Sequence, residues 1–140
     1  MIYTLLLALS CFSMNPVEAP ESGINLQVSI EDIETIGGSL RVCLIANDPD
    51  KFLNDCDWGQ VVAVHQSTVT VEFSGLKPGT YCISLFHDED NNGQLNTEGL
   101  FGLPSEPYGF SNNPKTWFGP PSFEDCQFIL DQDTQLEIRL

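Results

Sequence analysis

The feature that most constrains the fold of this chain is a series of short segments in which every second residue is apolar. The segment "INLQVSI" at residues 24–30 shows this alternation, and "SLRVCLIA" at residues 39–46 repeats it, leaving Arg41 and Cys43 on the opposite face. Successive side chains of a strand point to opposite faces of a sheet. The alternation therefore predicts β-strands with one buried face.

Similar segments continue to the C-terminus and are separated by turn signals. They are "VVAVHQSTVTVEFSGL" (61–76), which is typical of a hairpin, "LKPGTYCISLFH" (76–87), "DCQFIL" (125–130) and "TQLEIRL" (134–140). Together the segments give about seven strands. This count predicts an all-β, immunoglobulin-like or transthyretin-like antiparallel β-sandwich, and we expect a single domain over residues 23–140.

The composition is strongly acidic, with 5 basic and 20 acidic residues and a formal net charge of -15 over 140 residues. Such a surface repels phosphate backbones and anionic lipid headgroups. We therefore predict that nucleic acid is not a partner. The charge is compatible with cations and with basic proteins.

The N-terminal residues have the composition of an export signal. An apolar run at residues 2–12 precedes the cleavage-like sequence Val17-Glu18-Ala19. The run is shorter than the roughly 20 apolar residues that span a bilayer. We predict a signal peptide or leader at residues 1–22, no membrane span in the mature chain, and a secreted, periplasmic or cell-surface location. The sequence "ALSC" at residues 8–11 suggests an alternative, a lipoprotein modified at Cys11.

The cysteine count predicts a disulfide framework. Without Cys11 an even number remains, namely Cys43, Cys56, Cys82 and Cys126. In an exported domain these favour two disulfides. Strand parity places Cys43 and Cys82 on equivalent faces, which favours pairing them and leaves Cys56 for Cys126. Other pairings remain open, and buried free thiols are the alternative.

The stretch with the most specific chemistry is "HDEDNNGQLN", residues 87–96. Counted from Asp88, its carboxylate and amide residues alternate around Gly93, as in the first nine positions of a calcium-binding loop. The predicted ligands are Asp88, Asp90, Asn92, Gln94 through its backbone carbonyl, Asn96 and Glu98. Gly99 stands where the loop usually has a glutamate. We predict a weak Ca²⁺ site, and the alternative is a polar turn without an ion.

Two further functions are open in the same region. His87, Asp88 and Asp90 are the candidate residues of a metal-assisted hydrolase with His87 as its base. The long segment from residue 88 to residue 123 is rich in aromatic residues, and we expect it to be ordered and to fold back on the sandwich. Its residues Tyr108, Phe110 and Trp117 are candidates for binding carbohydrate or peptide, although aromatic plugs are more common.

Three motifs resemble those of a bacterial exported family, domain of unknown function 2141: "LKPGTYCISLFHDEDNNGQLN", "GLFGLPSEPYGFSNN" and "FGPPSFEDCQF". The family pattern includes F-H-D-x-N-x-N-G, G-x-P-x-E-x-Y-G-F-S-N-N and F-G-P-P-x-F. Matching positions are Pro78, Gly79, Tyr81, His87, Asp88, Asn92, Gly93, Tyr108, Gly109, Phe110, Ser111, Asn112, Asn113, Phe118, Gly119, Pro120, Pro121 and Phe123. The resemblance implies a prealbumin-like or transthyretin-like sandwich in an exported protein.

The resemblance does not extend to an activity, and the mature cysteines lie outside the pattern. Asp90 stands where the family usually has asparagine, which adds charge to the predicted loop. We therefore expect an exported, non-enzymatic module that is stabilised by Ca²⁺. Its expected role is that of an accessory or binding domain at the cell surface, with a protein or a glycan as its partner.

Overall fold

The computed structural model describes residues 23–140, so the predicted leader and the lipoprotein candidate Cys11 lie outside the described residues. The strands are β1 (Ile24–Glu31), β2 (Ser39–Ala46), β3 (Trp58–Ala63), β4 (Val69–Leu76), β5 (Gly79–Asp88), β6 (Thr97–Glu98), β7 (Leu103–Pro104), β8 (Tyr108–Phe110), β9 (Phe128–Leu130) and β10 (Thr134–Arg139). A single helical turn, α1 (Phe123–Cys126), precedes β9. No helix in this part of the chain is long and apolar enough to cross a bilayer.

Two sheets form the body of the domain. One has the strand order β10-β1-β4, and the other has the order β3-β2-β5-β8, with β9 also paired to β5. The strands β8 and β9 pair with successive parts of the β5 edge that faces away from β2. The short strands β6 and β7 pair only with each other and form a separate hairpin.

The predicted fold class, an all-β sandwich, is confirmed. The predicted strand segments correspond to β1–β5, β9 and β10, and the other three strands lie in the long segment after β5. Two pairings differ from the prediction. β1 and β10 are parallel, and the predicted β3–β4 hairpin is wrong, because β3 pairs with β2 and β4 pairs with β1. Alternation identifies a strand with one buried face, but it does not identify the neighbour.

The main core lies between the two sheets. It is formed by the inward-facing rows of the strands, including Leu26, Val28 and Ile30 of β1 and Tyr81, Ile83 and Leu85 of β5. Full burial of a Val, Leu or Ile side chain contributes about 1.5–3 kcal/mol. His87 continues the inner row of β5 and is also fully buried.

A second, smaller core covers the outer face of the five-stranded sheet. Ile45 and Cys82 of that face pack with Phe52, Phe110 and Phe123. The ring of Phe52 lies 6.0 Å, centroid to centroid, from each of the other two phenylalanine rings. The long segment therefore folds back on the sandwich as expected. Its other aromatic residues Phe101, Trp117 and Phe118 are exposed, which differs from that expectation.

The residues Ser111, Asn112 and Asn113 connect this second core to both sheets. Ser111 Oγ accepts a hydrogen bond from the backbone N–H of Ile83 at 2.9 Å and donates one to the carbonyl of Cys126. Asn112 Nδ2 donates to two carbonyls in and just after α1, at 3.1 and 2.8 Å. The Asn113 amide pairs with the β10 backbone, donating at 3.0 Å and accepting at 2.9 Å. These three matched residues of the family pattern thus have a structural role.

A disulfide joins Cys43 to Cys56, with Cα atoms 5.6 Å apart, whereas Cys82 and Cys126 are free and buried. The predicted pairing of Cys43 with Cys82 and of Cys56 with Cys126 is therefore wrong. Cys43 and Cys82 do share the outer face of the sheet, as parity indicated. Cys43 lies opposite Ser84, however, so Cys82 is a diagonal neighbour, and the loop after β2 brings Cys56 into reach.

The close approach of β8 to β10 gives a test of the packing. A Cβ added at Gly109 would lie 2.9 Å from Ile138 Cγ2 and 3.1 Å from the Arg139 carbonyl oxygen. We expect Gly109→Ala to lower the free energy of unfolding by about 1–3 kcal/mol, measured by urea denaturation, because the strands must separate. Gly59→Ala is the control, since its nearest neighbour would be Cys56 Sγ at 3.6 Å. Equal stability of the two variants would contradict this packing.

Candidate functional site

The candidate site begins at Asp88, the last residue of β5 (Gly79–Asp88). Its side chain lies on the outer face of the five-stranded sheet, which is also the face of Ser39 and Arg41 in β2. The Asp88 side chain is fully buried. A carboxylate removed from water is costly unless hydrogen bonds and an opposite charge compensate it. The surroundings of Asp88 supply both.

Three donors surround the Asp88 carboxylate. Arg41 Nε donates to Oδ2 at 2.6 Å, the backbone N–H of Gly93 donates to Oδ2 at 2.8 Å, and that of Asn92 donates to Oδ1 at 3.0 Å. Burial alone would raise the pKa of Asp88, but the hydrogen bonds from Arg41 and the two backbone groups outweigh it and lower the pKa below its usual value. Asp88 is therefore an ionised anchor for the turn.

The turn has the backbone conformation that this anchor requires. Asn91 and Gly93 have φ angles of 56° and 83°, in the left-handed region that glycine and asparagine tolerate best. A Cβ at Gly93 would lie 3.4 Å from an Arg41 guanidinium nitrogen, so glycine also leaves room for that side chain. The Asn91 amide oxygen accepts a hydrogen bond from Ser39 Oγ, which ties the turn to β2.

Asp90 organises the outer part of the turn. Its Oδ1 accepts from the backbone N–H of Asn92 at 3.1 Å, and its Oδ2 accepts from the amides of Asn92 and Asn96 at 3.2 and 2.9 Å. The Asn92 amide also donates to the Asn96 side-chain oxygen. Asn92 Oδ1 in turn accepts the backbone N–H of Gln94 at 2.8 Å. The polar side chains therefore converge and do not point away from one another.

A third carboxylate, Glu106, completes the site from the other end of the segment. It is buried, and its two oxygens accept the backbone N–H groups of Glu89 and Asn96, each at 3.0 Å. One oxygen from each of Asp88, Asp90 and Glu106 lies within 4.8 Å of the other two. These three residues are called the carboxylate cluster below.

The carboxylate cluster retains acceptor capacity for an ion. A carboxylate oxygen has about two lone pairs. Asp88 Oδ1, Asp90 Oδ1 and both oxygens of Glu106 each accept a single hydrogen bond from the protein. Oxygen donors of this kind are the preferred ligands of Ca²⁺. Each of the three carboxylates therefore retains at least one oxygen with spare acceptor capacity.

Four of the six predicted ligands lie in the carboxylate cluster or are hydrogen-bonded to it, and two do not. Asp88 and Asp90 belong to the carboxylate cluster, and Asn92 and Asn96 are hydrogen-bonded to Asp90. Gln94 is exposed and bonded through its backbone N–H, and Glu98 is exposed in β6 outside the cluster.

Sequence reasoning missed two residues of the site. Glu106 is the glutamate of G-x-P-x-E-x-Y-G-F in the family pattern, so the sequence contained a signal for it. Arg41 was visible only as a charged residue on the outward face of a strand. Its approach to Asp88 depends on the pairing of β2 with β5.

His87 lies apart from the carboxylate cluster. Its side chain faces the main core, and its Nε2 is 2.7 Å from the carbonyl oxygen of Gly37. A carbonyl oxygen can only accept, so Nε2 carries the proton. His87 Nδ1 has no hydrogen-bond partner within residues 23–140, and the nearest acidic oxygen is Glu89 Oε1 at 3.9 Å. The structure thus does not bring His87 together with Asp88 and Asp90.

The β6–β7 hairpin projects directly from the carboxylate cluster. Asn96 precedes β6, Glu106 closely follows β7, and the backbone N–H of Ser105 donates to the Asn96 carbonyl at 2.8 Å. The tip of the hairpin is apolar and open to solvent, because Leu100 and Phe101 are 100% and 88% exposed. The base of the hairpin is therefore held by the site, and its tip is free of packing.

The three predicted aromatic binding residues do not form one platform. Phe110 is buried in the second core, and Tyr108 is half-buried with its hydroxyl 3.3 Å from Thr116 Oγ1. Trp117 is 77% exposed and lies beside the exposed Phe118. Of the three predicted residues, Trp117 alone is largely open to solvent, together with its neighbour in sequence Phe118.

Residues 28–138 match a protein family described as "Uncharacterized protein conserved in bacteria (DUF2141)". Comparison with curated proteins and with solved structures found no match. The family match extends from β1 to β10. It therefore includes the carboxylate cluster, the hairpin, the second core and most of the main core.

The Arg41–Asp88 pair predicts a particular pH dependence. Because the folded-state pKa of Asp88 is lowered, its contribution to stability is present above the unfolded pKa of about 3.9 and is lost as the pH falls through the folded value. We expect Arg41→Met to destabilise the protein most near neutral pH, and the deficit relative to wild type to shrink in strong acid. Urea unfolding at a series of pH values measures this difference.

Arg139→Met is the matched control for that experiment. Arg139 pairs with Glu137 at 2.7 Å, but its side chain is 62% exposed. Exposed pairs contribute little to stability. Its effect should therefore be small over the whole pH range. A deficit of Arg41→Met that is independent of pH would contradict the assigned role of Asp88.

Proposed function

The chain belongs to the bacterial family DUF2141, and we propose that it is an exported binding module in which a divalent cation fixes an apolar hairpin for a partner protein. The family description names no activity, so the proposal rests on the site. One observation carries it: the hairpin is anchored at Asn96 and Glu106, and both residues are hydrogen-bonded within the network around the carboxylate cluster. A cation in the cluster would stabilise the base of the hairpin.

Charge and spacing favour Ca²⁺ as the cation. The cluster contains three carboxylates, and Arg41 is the basic side chain that pairs with them in the described residues. Oxygens that lie within 4.8 Å of one another are close enough to share one ion, and Ca²⁺ accepts irregular sets of oxygen ligands more readily than Mg²⁺ does. Because Arg41 already compensates Asp88, we expect weak binding, with a Kd of about 10⁻⁴ to 10⁻³ M, as in extracellular sites.

Two features support a location outside the cytoplasm. The apolar run at residues 2–12 has the composition of an export signal. The Cys43–Cys56 disulfide is of a kind that persists in oxidising compartments and is rare in the cytosol. Export would also bring the site into contact with external Ca²⁺.

The proposed partner is a protein with an apolar recess that is bordered by basic residues. Leu100, Phe101 and Leu103 are all more than half exposed, and side chains of this kind gain free energy when a partner covers them. The formal net charge of -15 opposes association with anionic lipid and favours a basic partner surface. We therefore assign the hairpin tip to protein contact.

Carbohydrate or peptide binding is the second candidate, and the exposure of Trp117 and Phe118 is the observation that favours it. Loss of glycan-array binding in Trp117→Ala would support this candidate. The hydrolase with His87 as its base is not proposed. The His87 ring is buried on the face of β5 opposite to Asp88, so it cannot reach a substrate beside the carboxylate cluster.

Ca²⁺ is expected to raise the melting temperature of the wild-type protein. At a free concentration of 100 times Kd the stabilisation should be about 2.7 kcal/mol. Asp90→Asn and Glu106→Gln each remove a charged ligand and should abolish most of the shift. Glu98→Gln is the matched control, because Glu98 is exposed and outside the cluster, and it should keep the full shift. A wild-type melting temperature that does not change in about 10–100 mM Ca²⁺, which is 100 times the expected Kd, would overturn the cation site.

Hydrogen exchange tests whether the ion controls the hairpin. Ca²⁺ should slow amide exchange in residues 97–105 of the wild-type protein, because the hairpin is held at Asn96 and Glu106. Exchange in β1, which lies in the other sheet, should not change. Ca²⁺ binding that leaves exchange in residues 97–105 unchanged would separate the ion site from the hairpin and reject their coupling.

The docking role of the tip has its own test. A Ca²⁺-dependent partner, identified by cross-linking at the bacterial surface, should be lost with the double variant Leu100→Ser and Phe101→Ser. The matched control is the double variant Trp117→Ser and Phe118→Ser, which changes exposed apolar residues elsewhere in the same segment. A partner that depends on Trp117 and Phe118 instead would favour the second candidate.

A further inference from the structure

The two free cysteines lie against each other in the second core. Cys82 is on the outer face of β5, and Cys126 is the last residue of α1. Both are fully buried in the same core cluster, and their side chains adjoin. Ser111 holds the two elements together, because its Oγ lies 3.9 Å from Cys82 Sγ and donates a hydrogen bond to the Cys126 carbonyl.

The contact distinguishes the chemistry of the two thiols. The neighbouring Cys126 side chain lowers the pKa of Cys82 against the opposing effect of burial, and the nearby Ser111 hydroxyl adds to the lowering. The same contact raises the pKa of Cys126, and burial adds to that rise. The thiolate is the reactive form of cysteine. The two thiols are therefore unequal in the folded protein, whereas either one can attack an oxidant before α1 closes on β5.

We propose that Cys82 and Cys126 form a second disulfide in the oxidised protein, in addition to the bridge between Cys43 and Cys56. Buried single cysteines often serve only as small apolar residues. Two thiols in contact, however, are already placed for a bond, and this chain contains another pair that is bonded.

The oxidant is an external disulfide, either oxidised glutathione or the active-site disulfide of a thiol–disulfide oxidoreductase. The Cys82 thiolate attacks one sulfur of that disulfide, its S–S bond breaks, and a mixed disulfide forms as one thiolate leaves. Cys126 then loses its proton and attacks the Cys82 sulfur, expelling the second thiolate. Two electrons and two protons pass from the cysteine pair to the oxidant. Because both sulfurs are buried, the exchange takes place during folding, before α1 closes on β5.

The bridge would enclose the part of the chain that carries the carboxylate cluster and the hairpin. Both lie between residue 82 and residue 126, as do β6, β7 and β8. A disulfide stabilises mainly by restricting the unfolded chain, and more so for longer loops. We therefore expect the oxidised protein to melt at least about 5 °C higher than the protein without this bridge.

Peptide mapping of the full chain tests the pairing directly. The wild-type protein is refolded in a mixture of reduced and oxidised glutathione, its free thiols are alkylated, and it is cleaved after lysine and glutamate. Cleavage after Lys51, Glu72 and Glu89 places Cys43, Cys56, Cys82 and Cys126 in separate peptides. We expect a peptide that links Cys82 to Cys126 beside the one that links Cys43 to Cys56. Alkylated Cys82 and Cys126 in molecules whose other bridge is closed would overturn the proposal.

A second measurement isolates the proposed bond. In the double variant Cys43→Ala and Cys56→Ala the proposed bridge is the disulfide that remains among the described residues. Reductant should lower its melting temperature by at least about 5 °C. The control is the double variant Cys82→Ala and Cys126→Ala, in which linkage of these positions is impossible. Insensitivity of the first variant to reductant, or linkage of Cys82 or Cys126 to any other cysteine, would reject the pair.

Discussion

The buried Asp88 carboxylate is the interaction on which the arrangement of the site depends. An ionised group in this position requires donors, and the donors it uses are Arg41 and the backbone N–H groups of Asn92 and Gly93. These contacts fix the direction in which the chain leaves β5. They also bring Asp90 over the end of the sheet, where Glu106 approaches it from the far end of the segment. A single strand-end residue thus determines where three carboxylates meet.

The five-stranded sheet explains how so long a segment remains ordered. Its inner face contributes to the main core and part of its outer face is covered by Phe52, Phe110 and Phe123. Ser111 and Asn113 then connect this outer layer to β5 and to β10. The segment is therefore attached to both sheets. The contacts that attach it offset the conformational entropy that is lost when the segment is ordered. Hydrogen bonding and packing account for most matched residues of this part of the family pattern without any ligand.

The sequence was informative where local chemistry decides the structure. The alternation in β1, β2 and β10 and the oxygen-rich turn after His87 are local patterns, and both were readable. The crossover between β3 and β4 and the Cys43–Cys56 pair depend on which strands are neighbours. Alternating residues are compatible with several neighbours, so these features could not be derived. For the same reason Arg41 could not be assigned to the site before β2 was known to pair with β5.

The features that the fold does not require are those that point to function. Asp88 is neutralised by Arg41 and held by two backbone N–H groups, so its presence is explained without an ion. Asp90 and Glu106 add negative charge beside Asp88, and Arg41 is the basic residue that pairs with this cluster. In the absence of a cation the excess of negative charge costs folding free energy. Leu100 and Phe101 likewise contribute nothing to either core while exposed. Local departures of this kind concentrate at functional sites. The excess negative charge and the exposed hairpin adjoin, because the residues that anchor the hairpin belong to the network around the carboxylate cluster. A cation that neutralises the excess charge would therefore also order the hairpin.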